Sequence, residues 1–517
     1  MLNRRDLLTG AAAVAILSTA RPVFAQGEIA LVVGYPGQDV GHLDPHRATG
    51  TPDRAMVSWM FNGLVRFAPG TSNPADIEPD LAESWEHSED GLKWTFKLRQ
   101  GVQFHGTYGE LKADDVVYSL QRAGDPNRSA FSGEYADITS VVAVDDYTVE
   151  INLARRVPSI FAKVVNFSGG FIVSRRAAEE MGEDFTRSPI GTGPFAFEAA
   201  PRGGAATLVK HVSYFRGEPQ LDRIVYRLMP EDAARELAFR NQELDLSHMP
   251  PLQRNVDRFS QLPDTIVDSF GPGVPAILHL NQSVKPLDDI RVRKAIAHSL
   301  DRQALAAWKG LAVASPMTGI IDEDNLGFVP VDLPEHNPQL SRELLAEAGY
   351  PDGLTLSASH TSLPEMLEIM QVIQAQLQEG GITLELQIVE HATWHEIIRR
   401  DTTPVVLYLA ARFPIADTYL SQFYHSAAIV NTPTAVTNFS HVSVADKDIE
   451  AAREEVDPDK QLALWAEAQR KIAAEVVCVP LISSRQTWAR NNKVSYGWEL
   501  KGSVASVPVI DELTSKG

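Results

Sequence analysis

Cysteine is nearly absent: the 517 residues contain one, Cys478. That excludes an internal disulfide framework, and the apolar run around it, "EVVCVPLI", reads as a buried strand carrying a core thiol. Long hydrophobic runs are also lacking. The stretch from Gly10 to Leu17 is far shorter than the roughly 20 apolar residues that span a bilayer, and no later segment comes close. Internal repeats and low-complexity linkers are missing too. Positive charge is in short supply, with 47 Lys and Arg against 67 Asp and Glu, a formal net charge of −20. Such an acidic surface repels nucleic acid and anionic membranes.

The motifs of common enzyme classes are absent as well. There is no Gly-x-Ser-x-Gly elbow, no phosphate-binding glycine loop and no His-Glu-x-x-His helix. "GTGPF" at Gly191 to Phe195 is glycine-rich, but it leads into the strand-like "FAFEAA" instead of a helix, so it fails as a dinucleotide site. His391 and His395 stand four apart in "VEHATWHEIIRR" and can share a helix face. Two histidines without an obvious third ligand do not make a zinc site, and neither a metal nor a cofactor is expected.

What is present begins at the N-terminus, where "MLNRRDLLTGAAAVAILSTARPVFAQG" has a charged start, an apolar run and a small-residue exit. It reads as a cleaved export signal over residues 1–26, and Arg4 and Arg5 resemble a twin-arginine type. Its loss removes three arginines and one aspartate and leaves about 490 residues at −22. The mature chain is therefore expected to be soluble and periplasmic. At 44% hydrophobic and 22% charged residues it is an ordinary globular chain.

Strands and helices alternate throughout, which argues for α/β layers. "EIALVVGYP" is a strand ending at Tyr35, and "GLKWTFKLRQGVQF" alternates Trp94, Phe96 and Leu98 inward. "ADDVVYSLQRA" is a helix started by Asp114 and Asp115, and "VVAVDDYTVEINL" is a hairpin. The second half carries capped helices: Asp288 and Asp289 before "IRVRKAIAHSL", Asn337-Pro338 before "QLSRELLAEAG", and Asp457-Pro458 before "DKQLALWAEAQRKIAAE".

Several long motifs occur in a recognisable order: "LDPHRATGTPDRAMVSWMFNGLVRF", "PDLAESWEHSEDGLKWTFKLRQGVQFHGTYGELKADDVVYSLQR", "GTGPFAFEA", "LNQSVKPLDDIRVRKAIAHSLDR", "LLAEAGYPDG" and "PVVLYLAARFPIADTYLSQFYHS". Together they resemble the family 5 solute-binding proteins, the peptide- and nickel-binding receptors of ABC importers. The resemblance implies an α/β periplasmic-binding fold of type II, with two lobes, a ligand cleft between them and an extra subdomain. It places lobe I at 27–60, 190–272 and 485–517, the extra subdomain at 61–189 and lobe II at 273–484. Gly271-Pro272-Gly273 then falls near the crossover between lobes. The expected partners are a small peptide or similar polar solute and a permease with its ATPases. Contact with the membrane is through that complex only, and a monomer is expected.

The same resemblance nominates site residues. Asp417, in "RFPIADTYLSQFYHS", matches an acid that pairs with a peptide's ammonium group; its plain alternative is the N-cap of a helix starting at Thr418. Arg412 departs from the family pattern and favours a carboxylate, phosphate or polyol over a second cation; its alternatives are pairing with Asp417 or covering the connector. His360, in "SASHTSLP", falls near where dipeptide binders keep an arginine for the carboxylate; its alternative is an ordinary loop residue. Trp394 is a stacking candidate or a core residue. Tyr35, which ends the first strand, and Asn281, which follows the apolar "AILHL", are nominated as element ends, and Tyr419 completes the set. A second reading keeps the receptor role for an opine-like anion, an oligosaccharide or a nickel chelate. A third, an exported hydrolase, has no motif behind it.

Overall fold

A computed structural model describes residues 27–157, 160–432 and 437–517. The expected export signal, 1–26, lies outside the described residues. Among those described, no helix is long and apolar enough to cross a membrane.

One large mixed sheet organises the chain. Its strands run in the spatial order Val405–Leu409, Thr265–Leu280, Cys478–Asn491, Leu246–Met249, Ala30–Tyr35, Arg223–Leu228, Ala206–Lys210 and Phe195–Ala199. The first strand of the chain is buried along its whole length and lies parallel to both neighbours, Ala30 opposite Arg223 and Val33 opposite Leu246. Apolar residues at every position, not every second one, suit a strand covered on both faces.

Two long antiparallel strands, Thr265–Leu280 and Cys478–Asn491, cross from one lobe to the other. Their inner ends supply Phe270 and Trp488 to the core that holds Leu31, Val33 and Trp59. Their outer ends supply Ala276, Leu278, Val479 and Ile482 to a separate core with Leu356, Ile373 and Leu407. The pairing breaks register between Phe270 and Val274, at Gly271-Pro272-Gly273. A Cβ on Gly273 would overlap Ser483 Oγ and come within 2.7 Å of Asp322 Oδ2, so only glycine fits there. The C-terminal segment packs Tyr496, Val507 and Ile510 into the first core and bonds Ser503 N to Gly271 O at 2.8 Å.

A four-stranded antiparallel sheet stands apart, with the hairpin Ile138–Asp145 and Thr148–Leu153 at one edge and helix Ala113–Gly124 on its face. Phe96, Leu98, Val116, Leu120, Val149 and Ile151 form its core. A buried pair ties its helix to the segment that follows the first strand: Arg122 Nη1 donates to Asp44 Oδ1 at 2.8 Å, with His46 Nδ1 at the same distance. "GTGPF" proves to be a packing device, since Gly193 N donates to Met60 O at 2.9 Å and a Cβ at Gly191 would overlap the same carbonyl.

The capped helices form where the sequence signals them. Asp289, Asn337 and Asp457 each accept a backbone N–H of the first turn, ahead of helices Ile290–Ser299, Pro338–Glu347 and Pro458–Glu475. Cys478 is buried, and burial pushes its thiol up to about 12, which makes it an inert core group.

Candidate ligand cleft

The cleft lies beside the crossover, where strands of both lobes end. Lobe I contributes Pro36 after its first strand, Asp232 and Arg235 after strand Arg223–Leu228, and His248 with Pro250 from strand Leu246–Met249. Lobe II contributes Glu365 and Met366 after strand Leu354–Thr361, His391 and Trp394 after strand Ile382–Val389, and Tyr408 to Arg412 from the end of strand Val405–Leu409. They enclose a cavity of about 540 Å³, within the size range of small-molecule sites. A second chamber of about 210 Å³, lined by Arg54, Glu134, Phe413 and Gln422, shares Arg412 with it.

Aromatic rings form a wall on each side. Trp394 is buried and stacks on His391 (centroids 5.7 Å, 20°) and Tyr408 (6.0 Å, 24°), with the edge of His360 at 6.0 Å. In lobe I, Tyr35 stacks on Trp488 (5.6 Å, 29°) and meets His248 at 5.1 Å. Such faces bind the apolar side of a ligand, while the unpaired ring N–H groups can bind its polar atoms. Trp394 Nε1, His248 Nδ1 and His395 Nδ1 are buried and have no hydrogen-bond partner among the described residues.

The charges are fixed by local bonds. Arg235 is 1% exposed; Nη1 donates to Met229 O and Pro230 O, Nη2 to Asp232, and Nε has no partner among the described residues. Desolvation, with the nearby Arg235 charge, brings His248 down to about 4, and desolvation also lowers His395. Both rings are neutral at pH 7 and serve as hydrogen-bonding groups. His391 and His395 face each other at 4.6 Å, but the described residues hold no group of three or more His, Cys, Asp or Glu that could hold a metal ion.

Of the residues nominated from sequence, Arg412 and Trp394 line the cavity, and Tyr35 forms part of the aromatic floor behind His248. The others are held elsewhere. Asp417 lines neither chamber; its Oδ1 accepts Arg453 Nε at 2.8 Å and Ser421 Oγ at 3.3 Å. Nor is it an N-cap, because the helix runs Ala416–Phe423 with Ile415 at the cap, and Asp417 falls within its first turn. Arg412 pairs not with Asp417 but with Gln422 Oε1 (Nε, 2.6 Å) and Ala411 O (Nη1, 3.0 Å).

Tyr419 is a fastener: its hydroxyl accepts Arg412 N at 3.0 Å and donates to Ala410 O at 3.3 Å. His360 belongs to strand Leu354–Thr361, not a loop, and lies fully buried behind Trp394, where desolvation lowers its pKa. Asn281 follows the wrong end of a strand. Thr265–Leu280 enters lobe II at the crossover and runs antiparallel to Val405–Leu409, so its carboxyl end points away from the cleft. There Asn281 Nδ2 donates to Asp401 Oδ1 at 2.9 Å, and its Oδ1 accepts Ser283 N at 2.9 Å.

Sequence reasoning missed Arg54, Arg235, His248 and Tyr408. One signal was available: Arg235 sits with Ala238 and Phe239 on the inward face of helix Asp232–Arg240, where a charge is out of place unless it is used.

Comparison with known proteins gives this geometry a context. The sequence model for "Bacterial extracellular solute-binding proteins, family 5 Middle" matches residues 76–431. The structure of MoaA of A. tumefaciens R10, in complex with mannopinic acid, is 50% identical with a TM-score of 0.80 and covers 95% of this chain and 99% of that one. Curated relatives include the glutathione-binding protein GsiB of Salmonella typhi, 27% identical over 93% of each chain. Another is the di/tripeptide-binding protein 2 of Pseudomonas aeruginosa, 29% identical over 88% of this chain and 89% of the other. With a family match over more than half its length and a two-lobed mixed α/β fold shared with periplasmic binding proteins, the chain belongs to the family 5 bacterial extracellular solute-binding proteins.

Proposed function

We propose that the protein captures a small anionic solute of the opine class in this cleft and delivers it, outside the cytoplasm, to a membrane permease driven by ATPases. The observation that carries the reading is the charge of the cleft. Arg54, Arg235, Arg412 and Arg485 line its two chambers against Asp232, Glu134 and Glu365, in a chain whose net charge is −20. A local excess of guanidinium in so acidic a protein selects carboxylates, which it can meet with paired, charge-assisted hydrogen bonds. Asp417, the acid that would have held a peptide ammonium, already has Arg453 as its partner. The 50% identity to MoaA, whose structure contains mannopinic acid, points to the same ligand class.

No catalytic role is assigned: the cleft residues bind and orient. Lobe I comprises 27–60, 190–272 and 485–517, lobe II 273–484 and the extra subdomain 61–189. The lobes close by rotation at Gly271–Gly273, and ligand favours the closed form because both walls contact it only then. The twin-arginine-like N-terminus supports export to the periplasm.

Calorimetry of the purified mature protein tests the reading, with mannopinic acid, glutathione, dipeptides and tripeptides as titrants. Saturable 1:1 binding of mannopinic acid, at least about tenfold tighter than any peptide, is expected, a difference of about 1.4 kcal/mol or more. Tight peptide binding with no heat from mannopinic acid returns the protein to the peptide receptors.

A further inference from the structure

The two chambers of the cleft share Arg412, which lines both. Facing the smaller one from lobe I is Arg54, on helix Thr51–Met60. Its Nη2 donates to Val504 O at 2.9 Å, its guanidinium lies 4.9 Å from the Phe167 ring centroid, and its Nε is buried without a partner among the described residues. Among the described residues one carbonyl and one ring face hold this guanidinium, and the unmet Nε is costly in a desolvated place. Arg412 is similarly part-committed. Gln422 and Ala411 hold its Nε and Nη1, and the Phe423 ring supports it at 5.3 Å.

Glu134 lines the same chamber and its charge acts on Arg54. Two guanidiniums on one small chamber suit a carboxylate, which each can meet with charge-assisted hydrogen bonds. The volume of about 210 Å³ holds a carboxylate and its adjoining carbon atoms.

We infer that Arg54 and Arg412 form a carboxylate clamp whose two arms come from opposite lobes. The carboxylate sits between them, and the polar remainder of the ligand lies beside Trp394 and Arg235. Each arm belongs to a different lobe, so the full set of charge-assisted bonds forms only in the closed state. Recognition of the carboxylate is thereby coupled to closure. A neutral sugar or a cation leaves both arms unmet and gains nothing from closing.

This inference rests on the anionic-ligand reading, and the test separates the two. Wild type, Arg54→Met, Arg54→Lys and Arg412→Met are titrated with mannopinic acid and with its carboxamide derivatives, and with a dipeptide and its C-terminal amide. The clamp predicts that Arg54→Met and Arg412→Met each weaken the acid at least tenfold, while affinity for one amide stays within about twofold of wild type; Arg54→Lys recovers part of the loss. Thermal melts confirm that each variant is folded. Equal losses for acid and amide, or no loss for the acid, overturn the clamp and leave the opine reading standing. If only the dipeptide binds and its carboxylate shows the same dependence on Arg54, the opine reading fails and the clamp survives. Binding by none of these acids overturns both.

Discussion

Arg453 Nε donates to Asp417 Oδ1 at 2.8 Å, and Arg453 Nη2 reaches Ser421 in the same turn of helix Ala416–Phe423. With side chains 30% and 13% exposed, the pair joins that helix to Asp446–Glu454 and uses the carboxylate for structure. Asp417→Ala is therefore expected to cost about 1–2 kcal/mol of stability, as for a part-buried charged hydrogen bond, and to leave ligand affinity within about twofold. Urea unfolding and calorimetry on one preparation check both; an affinity loss of tenfold or more at unchanged stability contradicts the assignment.

Trp394 is 1% exposed and carries the lobe II wall of the cleft. Trp394→Ala should destabilise by about 3–5 kcal/mol, the usual cost of emptying a large aromatic site. Trp394→Phe keeps most of the packing, and the part of the fluorescence change on ligand addition that originates at this ring should vanish. An unaltered fluorescence response in the Phe variant would place the ligand away from this wall.

His279 is buried against Phe423, Tyr424 and Phe439, and desolvation alone brings it down to about 3. His46 and His248, each near 4, and His105, near 3, are likewise brought down chiefly by burial. A folded-state pKa below the ordinary 6.5 means stability that is present above pH 6.5 and lost as pH falls toward the folded value. Each such ring costs up to about 1.4 kcal/mol per pH unit over that window. Urea titrations between pH 7.5 and 4.5 should show stability falling with acid, less steeply in His279→Phe. Equal slopes in the two proteins reject the role given to His279.

Asp511 runs the other way. It is 3% exposed beside Glu512, with Oδ2 unpaired among the described residues, and burial, aided by that neighbouring charge, raises it to about 6. Its carboxyl is most comfortable protonated, so its contribution is lost as pH rises through 6. Asp511→Asn should stabilise by on the order of 2 kcal/mol at pH 7.5 and have little effect at pH 4. The melting temperature at the two pH values decides this, and a gain of equal size at both rules it out.

Gly273 sits at the crossover, where Ser483 Oγ occupies the space of a Cβ. Gly273→Ala should cost about 1–3 kcal/mol through overpacking and reduce the compaction that small-angle scattering detects on ligand binding. Compaction equal to wild type, at equal stability, would show that the lobes do not rotate at this point.

Much of the architecture was legible along the chain. Period-two patterning marks the subdomain strands around Phe96 and Leu98, and Asp289, Asn337 and Asp457 announce their helices, because caps and strand faces depend on residues a few positions apart. The acidic composition and the buried Cys478 follow from composition and short runs in the same way. The family resemblance likewise rests on motifs that are contiguous in sequence.

The cavity lining was legible only where an element end coincides with the cleft, as at Trp394 and Arg412. Strand carboxyl ends lead to the cleft at Tyr35 and Leu409 and away from it at Asn281, since a crossover strand enters its lobe from the cleft and leaves by the far side. Whether an ionisable side chain is free for a ligand depends on partners far away in sequence. Arg453, 36 positions from Asp417, neutralises it, while Val504, 450 positions from Arg54, satisfies only one of that arginine's donors. The sequence alone determined a two-lobed receptor; tertiary structure decided which charges are spent on holding the fold and which line the cleft, because Coulomb and hydrogen-bond energies depend on distances of a few ångströms that no spacing along the chain specifies.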